Sequence, residues 1–418
     1  MPWLILFTRS SRLLALAFFL LAQAPLAMAA TERCDQSLPQ LLNCLNERSP
    51  ARLRSLSRAT ESEMLRQVAG EKKPIDLTVQ ALRDESKSTA GDSVQATGMI
   101  GLDLVGLRRA RQDAASWEAE DRHLQAEIER QSVMFNGYLS LVRIQLLRKE
   151  IRLLQETEKS LEKNLIEYKK RPQLSPEQEA SKTLFFLALQ SLRQQRILSE
   201  QEEHSLVHDW EIQIHESFSP SESNLPKIPV QWPNLSSSQR SENAAEVRHI
   251  SILKNKLEAQ AHLSVTEKRP LLQLGPTFEW NRISGTEGFR YGLTLQAPLT
   301  LLSDFSGTAE LAHRSFERAA LEAETKRRET LGDLEHTKDV YASSVQALKS
   351  SEPTEQTWAR LAALNRQFLR GLVSGASLVE IMRQATSGMQ TQHQLVLRAV
   401  STFCKIKIAE ARAEECWR

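Results

Sequence analysis

The dominant constraint on this chain is an internal duplication. Residues 74–120 run PIDLTVQALRDESKSTAGDSVQATGMIGLDLVGLRRARQDAASWEAE, and residues 270–324 run PLLQLGPTFEWNRISGTEGFRYGLTLQAPLTLLSDFSGTAELAHRSFERAALEAE. Both pass from a proline through a strand-like stretch, a polar glycine-containing turn and a second strand-like stretch into a long helical pattern. Further on, EYKKRPQLSPEQEASK (167–182) precedes QFLRGLVSGASLVEIM (367–382) by about 200 positions, close to the interval between Gly106 and Gly307. The fold must be assembled from two tandem helix-strand-strand-helix units.

Strand patterning is confined to four short stretches, expected at 76–84, 93–104, 271–281 and 288–298. In the first hairpin Leu77, Val79 and Ala81 alternate with Thr78 and Gln80, and Val94, Ala96, Gly98 and Ile100 alternate with Gln95, Thr97 and Met99. In the second, Leu272, Leu274, Pro276, Phe278 and Trp280 oppose Gln273, Thr277 and Glu279, and Phe289, Tyr291, Leu293 and Leu295 oppose Arg290, Thr294 and Gln296. After each hairpin the period becomes helical, as in Ala110, Ala114, Trp117, Leu124, Ile128, Phe135, Leu139, Val142 and Leu146. Helices over 106–171 and 306–371 would each be roughly 65 residues long, near 100 Å at 1.5 Å per residue. Shorter helices are expected at 36–47, 50–72, 177–213, 240–268 and 376–412. A Pro/Ser-rich linker, 215–239, separates the first repeat (30–214) from the second (240–418). Paired end to end, 177–213 with 240–268 and 376–412 with 36–72 each match one long rod. The fold class is mainly α with a small β part, built as long antiparallel rods with strands at one end and hairpin tips, near 172–176 and 372–376, at the other.

Residues 1–29 have the form of a signal peptide, with Arg9 and Arg12, the apolar run LLALAFFLLA and the small-x-small site Ala27-Met28-Ala29. The TER preceding Cys34 lacks the small residues of a lipoprotein signal. No later segment approaches the roughly 20 apolar residues of a membrane helix, so any insertion must be by strands. The balance of 54 basic and 52 acidic residues gives no reason to expect a nucleic-acid partner. Cys34, Cys44, Cys404 and Cys416 in an exported chain predict two disulfides, with three connectivities allowed. Because the C-terminal rod rises to the level where the N-terminal rod begins, at least one bond is expected to join the two ends of the chain.

Four strands cannot close a barrel, and open edges are not tolerated in lipid, where each unpaired backbone group costs several kcal/mol. Strands of about ten residues with one apolar and one polar face suit a membrane barrel shared by several copies, with lipid outside and water within. Phe278, Trp280, Phe289 and Tyr291 gather near one turn, where an interfacial aromatic girdle would lie. A soluble hairpin covering a helical core is the alternative for the same pattern.

These residues resemble the outer-membrane efflux protein family, the TolC-like ducts, over essentially the whole chain beyond residue 29. SLPQLLNCLNERSP (37–50) is similar to the family's opening helix, with Ser49-Pro50 where an Asn-Pro step is usual. LTLQAPLTLLSDFSG (293–307) resembles the return strand ending in Pro-Leu, here Pro298 and Leu299. FLRGLVSGASLVEIMRQA (368–385) resembles the second hairpin tip, with Gly371, Leu372, Val373, Ser374 and Leu378 in the usual places. The resemblance implies a homotrimer: twelve strands closed in the outer membrane of a Gram-negative bacterium, continued by an α-helical barrel through the periplasm. Its tips, with Arg370 and Glu380 beside the motif, would meet a periplasmic adaptor (membrane fusion protein) and an inner-membrane transporter. The expected role is a passive exit duct for efflux or type I secretion. Two features depart from the pattern: the first tip, KKRPQLSPEQE, lacks the Gly-Leu-x-Ser motif and carries Pro172 and Pro176, and the first return strand has no counterpart of Pro298.

No signature of catalysis or of a cofactor appears: there is no phosphate-binding Gly-Lys loop, no Gly-x-Ser-x-Gly elbow and no clustered Cys/His set. His204 and His208 lie one helical turn apart but lack a metalloprotease glutamate and a third ligand in sequence. Glu167, Lys169, Lys170, Arg171, Glu177, Glu179, Arg370 and Glu380 lie near the tips and would form charged rings if copies assemble there. A wholly periplasmic scaffold or adaptor is the competing reading. Such a protein normally has one helical hairpin flanked by strand-rich domains, whereas two hairpins are expected here.

Overall fold

The computed structural model describes residues 34, 37–71, 76–86, 89–102, 106–170, 173–221, 223–229, 231–235, 245–267, 272–283, 286–296 and 306–417. The expected signal peptide lies outside these residues. Helix α1 (Leu38–Arg48) carries Pro39 in its first turn and stops at Ser49. Ser49 then caps α2 (Pro50–Gly70): the Arg52 N–H donates to Ser49 Oγ at 3.4 Å, and Pro50 occupies the first turn, where a missing N–H costs nothing. After strands β1 (Asp76–Ser86) and β2 (Thr89–Leu102), α3 (Leu107–Lys169) runs unbroken for 63 residues. Helix α4 (Pro176–Ile214) opens on a capping box in which Ser175 and Gln178 exchange backbone-to-side-chain bonds. Helix α5 (Ala245–Glu267), strands β3 (Leu272–Ile283) and β4 (Thr286–Gln296), and helices α6 (Ser306–Ser350), α7 (Thr354–Leu369), α8 (Gly375–Ala409) and α9 (Glu414–Trp417) complete the chain.

The four strands form one antiparallel sheet in the order β1-β2-β3-β4. Helix α3 leads away from it as a spine, with α2 and α5 packed along its upper part and α4 and α8 along its lower part. The second rod lies beside α5 near the sheet and beside α8 below it. Apolar cores sit at mid-height and at the tips. At mid-height Leu41, Leu45, Leu141, Trp210, Ile214 and Val400 join α1, α3, α4 and α8, and Phe218 and Leu225 of the linker close over them. The linker continues past α6, where the Tyr341 hydroxyl donates to the Pro233 carbonyl at 2.7 Å. Burial pushes that phenol's pKa up to about 12.

Four expectations are corrected. The rod expected to be continuous over 306–371 breaks at Ser351–Pro353 into α6 and α7, because Pro353 can donate no backbone hydrogen bond and disfavours helix at the residue before it. The last helix ends at Ala409 rather than 412, and Ala411 takes a left-handed φ of 57° that turns the chain back into α9. No disulfide joins the two ends of the chain. Cys34 bonds Cys44, and Cys404 bonds Cys416, across separations of 10 and 12 residues. Cys34, Cys404 and Cys416 do share the mid-height core, so the ends meet as expected, but each thiol bonds a partner 10 or 12 residues away on its own end of the chain. Strand β2 begins at Thr89, ahead of the expected 93, and the expected end of the fourth strand at 297–298 lies outside the described residues.

Candidate functional site

Directly paired residues in a sheet place their side chains on the same face, so register decides what each face offers. Val94 pairs with Trp280 and Trp280 with Phe289; Ala96 pairs with Phe278 and Phe278 with Tyr291; Ile100 pairs with Leu274 and Leu274 with Leu295. The four strands therefore pool their apolar residues on one face. The rows between them are polar: Gln80, Gln95, Glu279 and Arg290 form one, and Thr97 and Thr277 belong to the next. The apolar face is uncovered. Tyr291 is 81% exposed, Leu293 72% and Phe289 57%, and among the described residues no helix packs broadly across the sheet. A bare apolar surface of this kind in water marks a site of contact with another chain or with lipid.

The four expected girdle aromatics come together as two cross-strand pairs. The Phe278 and Tyr291 rings lie 5.5 Å apart and Phe278 and Phe289 6.0 Å apart, with Trp280 paired to Phe289. One row beyond them, toward the turns and on the same face, the residues become charged: Asp92 pairs with Arg282 and Arg282 with Glu287. The face thus passes from aliphatic through aromatic to ionic along its length. Between β2 and β3 the strands close tightly, since a Cβ on Gly275 would overlap the Gly98 carbonyl, and Pro276 beside it offers no ladder donor.

At the opposite end, Gly371 ends α7 with φ 76°, which only glycine adopts without strain. Its N–H bonds the Phe368 carbonyl at 2.8 Å and the Leu372 N–H bonds that of Gln367 at 3.1 Å, so the last carbonyls of α7 are satisfied. Ser374 then caps α8, accepting from the Ser377 N–H at 3.1 Å. This leaves Leu372 72% exposed at the apex, with Val373 half-buried and Arg370 exposed. Glu380 is not free: Arg383 donates to it at 2.9 and 3.0 Å and Gln384 at 3.0 Å, and the Arg383 bond first of all holds its carboxyl below the ordinary value. The two tips are joined by Tyr168, Phe185 and Phe368, with ring separations of 5.2 to 6.3 Å, above a cavity of about 310 Å³ lined in part by Glu167, Glu177, Leu369 and Val373.

Of the other charges expected near the tips, Glu167 pairs with Lys170 at 2.7 Å, and Glu177 and Glu179 stand exposed in the first turn of α4, where the helix dipole favours them. Arg171 lies outside the described residues. His204 and His208 are exposed, and His208 lies 3.6 Å from Glu211. Among the described residues no group of three or more His, Cys, Asp or Glu is placed to hold a metal.

Sequence reasoning missed the buried polar residues of α3. Asp121, 1% exposed, accepts from Lys256 at 2.7 Å and contacts His249 Nε2 at 2.8 Å, tying α3 to α5. Glu150 accepts from Ser199 of α4 and Gln390 of α8, and His393 Nδ1 lies 3.6 Å away, too far for a strong hydrogen bond but close enough for charge to act. Burial works to raise the Glu150 carboxyl, and His393, Gln390 and Arg143 more than offset it, leaving it below the usual carboxylate value. Asn164 donates to Asn365 of α7 at 2.8 Å. Only this last pair had a visible signal: the two asparagines are separated by the same 201 residues as Gly106 and Gly307.

No protein-family model matches the sequence, and neither does any curated protein. Solved structures match closely in fold. The open state of the Neisseria gonorrhoeae MtrE outer membrane channel superposes with a TM-score of 0.70 at 13% identity, covering 91% of this chain and 90% of that one. The outer-membrane channel OprN gives 0.70 at 12%, covering 92% and 91%. The Vibrio cholerae outer membrane protein VceC gives 0.64 at 16%, covering 89% and 95%. At these identities the likeness establishes the fold alone, shared with these channels over about nine tenths of the chain.

Proposed function

We propose that this protein is the outer-membrane duct of a tripartite efflux or type I secretion system in a Gram-negative bacterium, a TolC-like passive conduit rather than an enzyme. The observation that carries this reading is the sheet: four strands, two open edges, one uncovered apolar face and one polar face. Strands β1 and β4 run in opposite directions, so β4 of one copy can extend the antiparallel ladder onto β1 of the next. Closure then removes every edge, with the strands tilted and staggered as barrels require. Three copies give the twelve strands implied by the family resemblance. The apolar face meets lipid and Phe278, Trp280, Phe289 and Tyr291 lie at the interface. The Asp92, Arg282 and Glu287 row stands beyond it among headgroups, and the glutamine, threonine, Glu279 and Arg290 rows line water. The helical rods carry the conduit across the periplasm, and the tip at Arg370–Ser374, with Glu380 beside it, docks a periplasmic adaptor that links it to an inner-membrane transporter.

A scaffold confined to the periplasm would leave the apolar face in water with nothing upon it. The deciding experiment is membrane fractionation of cells expressing the full chain, followed by unheated and boiled gel migration and light scattering of the detergent-solubilised protein. A heat-modifiable outer-membrane trimer is expected. A monomer recovered in the soluble periplasmic extract refutes the duct.

A further inference from the structure

The polar face of the sheet carries one row of long side chains between rows of short ones. Gln80 pairs with Gln95, Gln95 with Glu279 and Glu279 with Arg290, so these four lie side by side across the strands. The next row toward the helices holds Thr78, Thr97, Thr277 and Gly292, and the next row toward the turns includes Ser93, Asn281 and Gly288. Polar groups in the flanking rows stay close to the sheet. The Thr277 and Thr294 hydroxyls bond one another, and a Cβ on Gly288 would overlap the Asn281 amide oxygen, which therefore lies along the strands. Gln80, Gln95, Glu279 and Arg290, by contrast, make no hydrogen bond or ion pair among the described residues, and Gln80 and Arg290 are exposed. Glutamate and glutamine extend two bonds beyond a serine or threonine hydroxyl and arginine four, which is roughly 2.5 to 5 Å of added reach.

Barrel geometry decides where that reach is spent. Twelve strands spaced about 4.8 Å apart and tilted by about 40° enclose a backbone cylinder of roughly 12 Å radius. A row that crosses the strands at right angles climbs the tilted wall, by about 3 Å along the axis for each strand passed. Three copies about one axis then place each of the four residues in its own ring of three, with the Glu279 ring next to the Arg290 ring. Carboxylates and guanidiniums make two adjacent collars of opposite charge, and the glutamine rings continue the band. Arg290 is the one basic residue on the polar face of the described strands, so the guanidinium collar has no substitute.

We propose that Glu279 and Arg290 are the charge-selecting residues of the bore enclosed by the strands, two opposed rings framed by Gln80 and Gln95. Each ring offsets the field of the other at close range, so the band admits small hydrated solutes of either sign, and it is narrowed by side-chain length rather than closed by net charge. Removing one member of the pair leaves the other unopposed. The inference rests on the duct reading and names the residues that set selection within it.

The test uses the purified full chain reconstituted in planar lipid bilayers under a potassium chloride gradient, with reversal potential and conductance as readouts. Glu279→Gln is expected to shift the potassium-to-chloride permeability ratio toward chloride by about two-fold or more, and Arg290→Gln toward potassium by a similar factor. The double variant is expected to return close to the wild-type ratio, and Gln80→Ser with Gln95→Ser to raise conductance without moving that ratio. Gln95→Cys gives a second route that keeps both charges, because all four native cysteines are bonded and the new thiol is the only free one. An anionic methanethiosulfonate reagent on it is expected to favour potassium, and a cationic one chloride. Reversal potentials that do not move with either charge variant or either reagent, or that move the same way for both signs, overturn the assignment and leave the duct standing. A wild-type protein that forms no conducting pore removes the premise and the assignment together.

Discussion

Replacing Lys256 by Met removes a cation from a nearly closed cluster and keeps most of its volume. Lys256 Nζ lies 2.7 Å from both Asp121 Oδ2 and Glu118 Oε2. Burial opposes its charge, and the two carboxylates hold its pKa above the ordinary lysine value. At 2.7 Å and an effective dielectric near 20 the attraction to one carboxylate is about 6 kcal/mol, and desolvation cancels much of it. Removing one partner of such a pair typically costs about 3–5 kcal/mol, because the other charge stays buried. Here Glu118 retains Arg122 at 3.0 Å, and Asp121 retains His249 and Gln125, so the expected loss is about 2–4 kcal/mol. For a chain of this size that is roughly 2–5 °C in the thermal midpoint. Far-UV circular dichroism melts of the detergent-solubilised protein, compared at one scan rate, provide the measurement. Asp121→Asn added to Lys256→Met should recover more than half of the loss, since neither charge is then stranded. A single variant melting within about 1 °C of wild type, or a double variant no better than the single, refutes the assignment of Asp121 and Lys256 as a stabilising pair.

Three further outcomes are expected. Gly275→Ala should drive β2 from β3 at their tightest approach and sharply reduce the heat-modifiable folded band, whereas Gly292→Ala, where a Cβ meets nothing within 4 Å, should leave it largely intact. Glu150 titrates below the ordinary carboxylate range in the folded chain, so its contribution is complete above the unfolded value and disappears as acid protonates it. Glu150→Gln should accordingly lower the urea midpoint at pH 7 and lose less than wild type between pH 5 and 3. Cys404→Ser with Cys416→Ser opens a loop of separation 12, worth about 3 kcal/mol in the chain-entropy account, and hydrogen exchange should rise over residues 410–417 before it rises elsewhere.

The parts legible in the sequence were those governed by short periods. Alternation in the four strands specified both faces before any pairing was known, and the observed register set those faces side by side because each strand keeps its phase. The tip was legible because Gly371 and Ser374 act locally, one through its backbone angle and one through its cap. The break at Pro353 was equally visible, since the first repeat has no proline at the matching point of α3. The disulfide expectation failed by treating proximity as bonding: the Cα atoms of Cys34 and Cys44 lie 5.8 Å apart, and α9 brings the Cα of Cys416 within 5.0 Å of that of Cys404. Asp121 and Glu150 were illegible because a charged residue on a long helix reads as solvated until its partners on other helices are known.

Those illegible residues answer a problem that the heptad pattern creates. Two rods held by a regular apolar repeat can slide by one heptad and still bury most of the same side chains, so periodic packing fixes alignment weakly. Helix α3 is the spine on which every other alignment depends, and it carries a buried polar side chain at three heights: Asp121 against α5, Glu150 against α4 and α8, and Asn164 against α7. The intervals along the helix are about 43 Å and 21 Å at 1.5 Å per residue, which spaces them over most of its length. A slip by one heptad at any of the three would move the polar partner by about 10 Å and leave a charge or amide unpaired in an apolar seam, at a cost of several kcal/mol. Each contact adds little net stability beyond an apolar substitute of the same shape, and its effect is on register. On the duct reading, a register error in one copy would misalign the sheet above and the tip below together. The buried polar residues of α3 therefore link the two ends of the molecule through alignment, with no need for a continuous path of interactions between them.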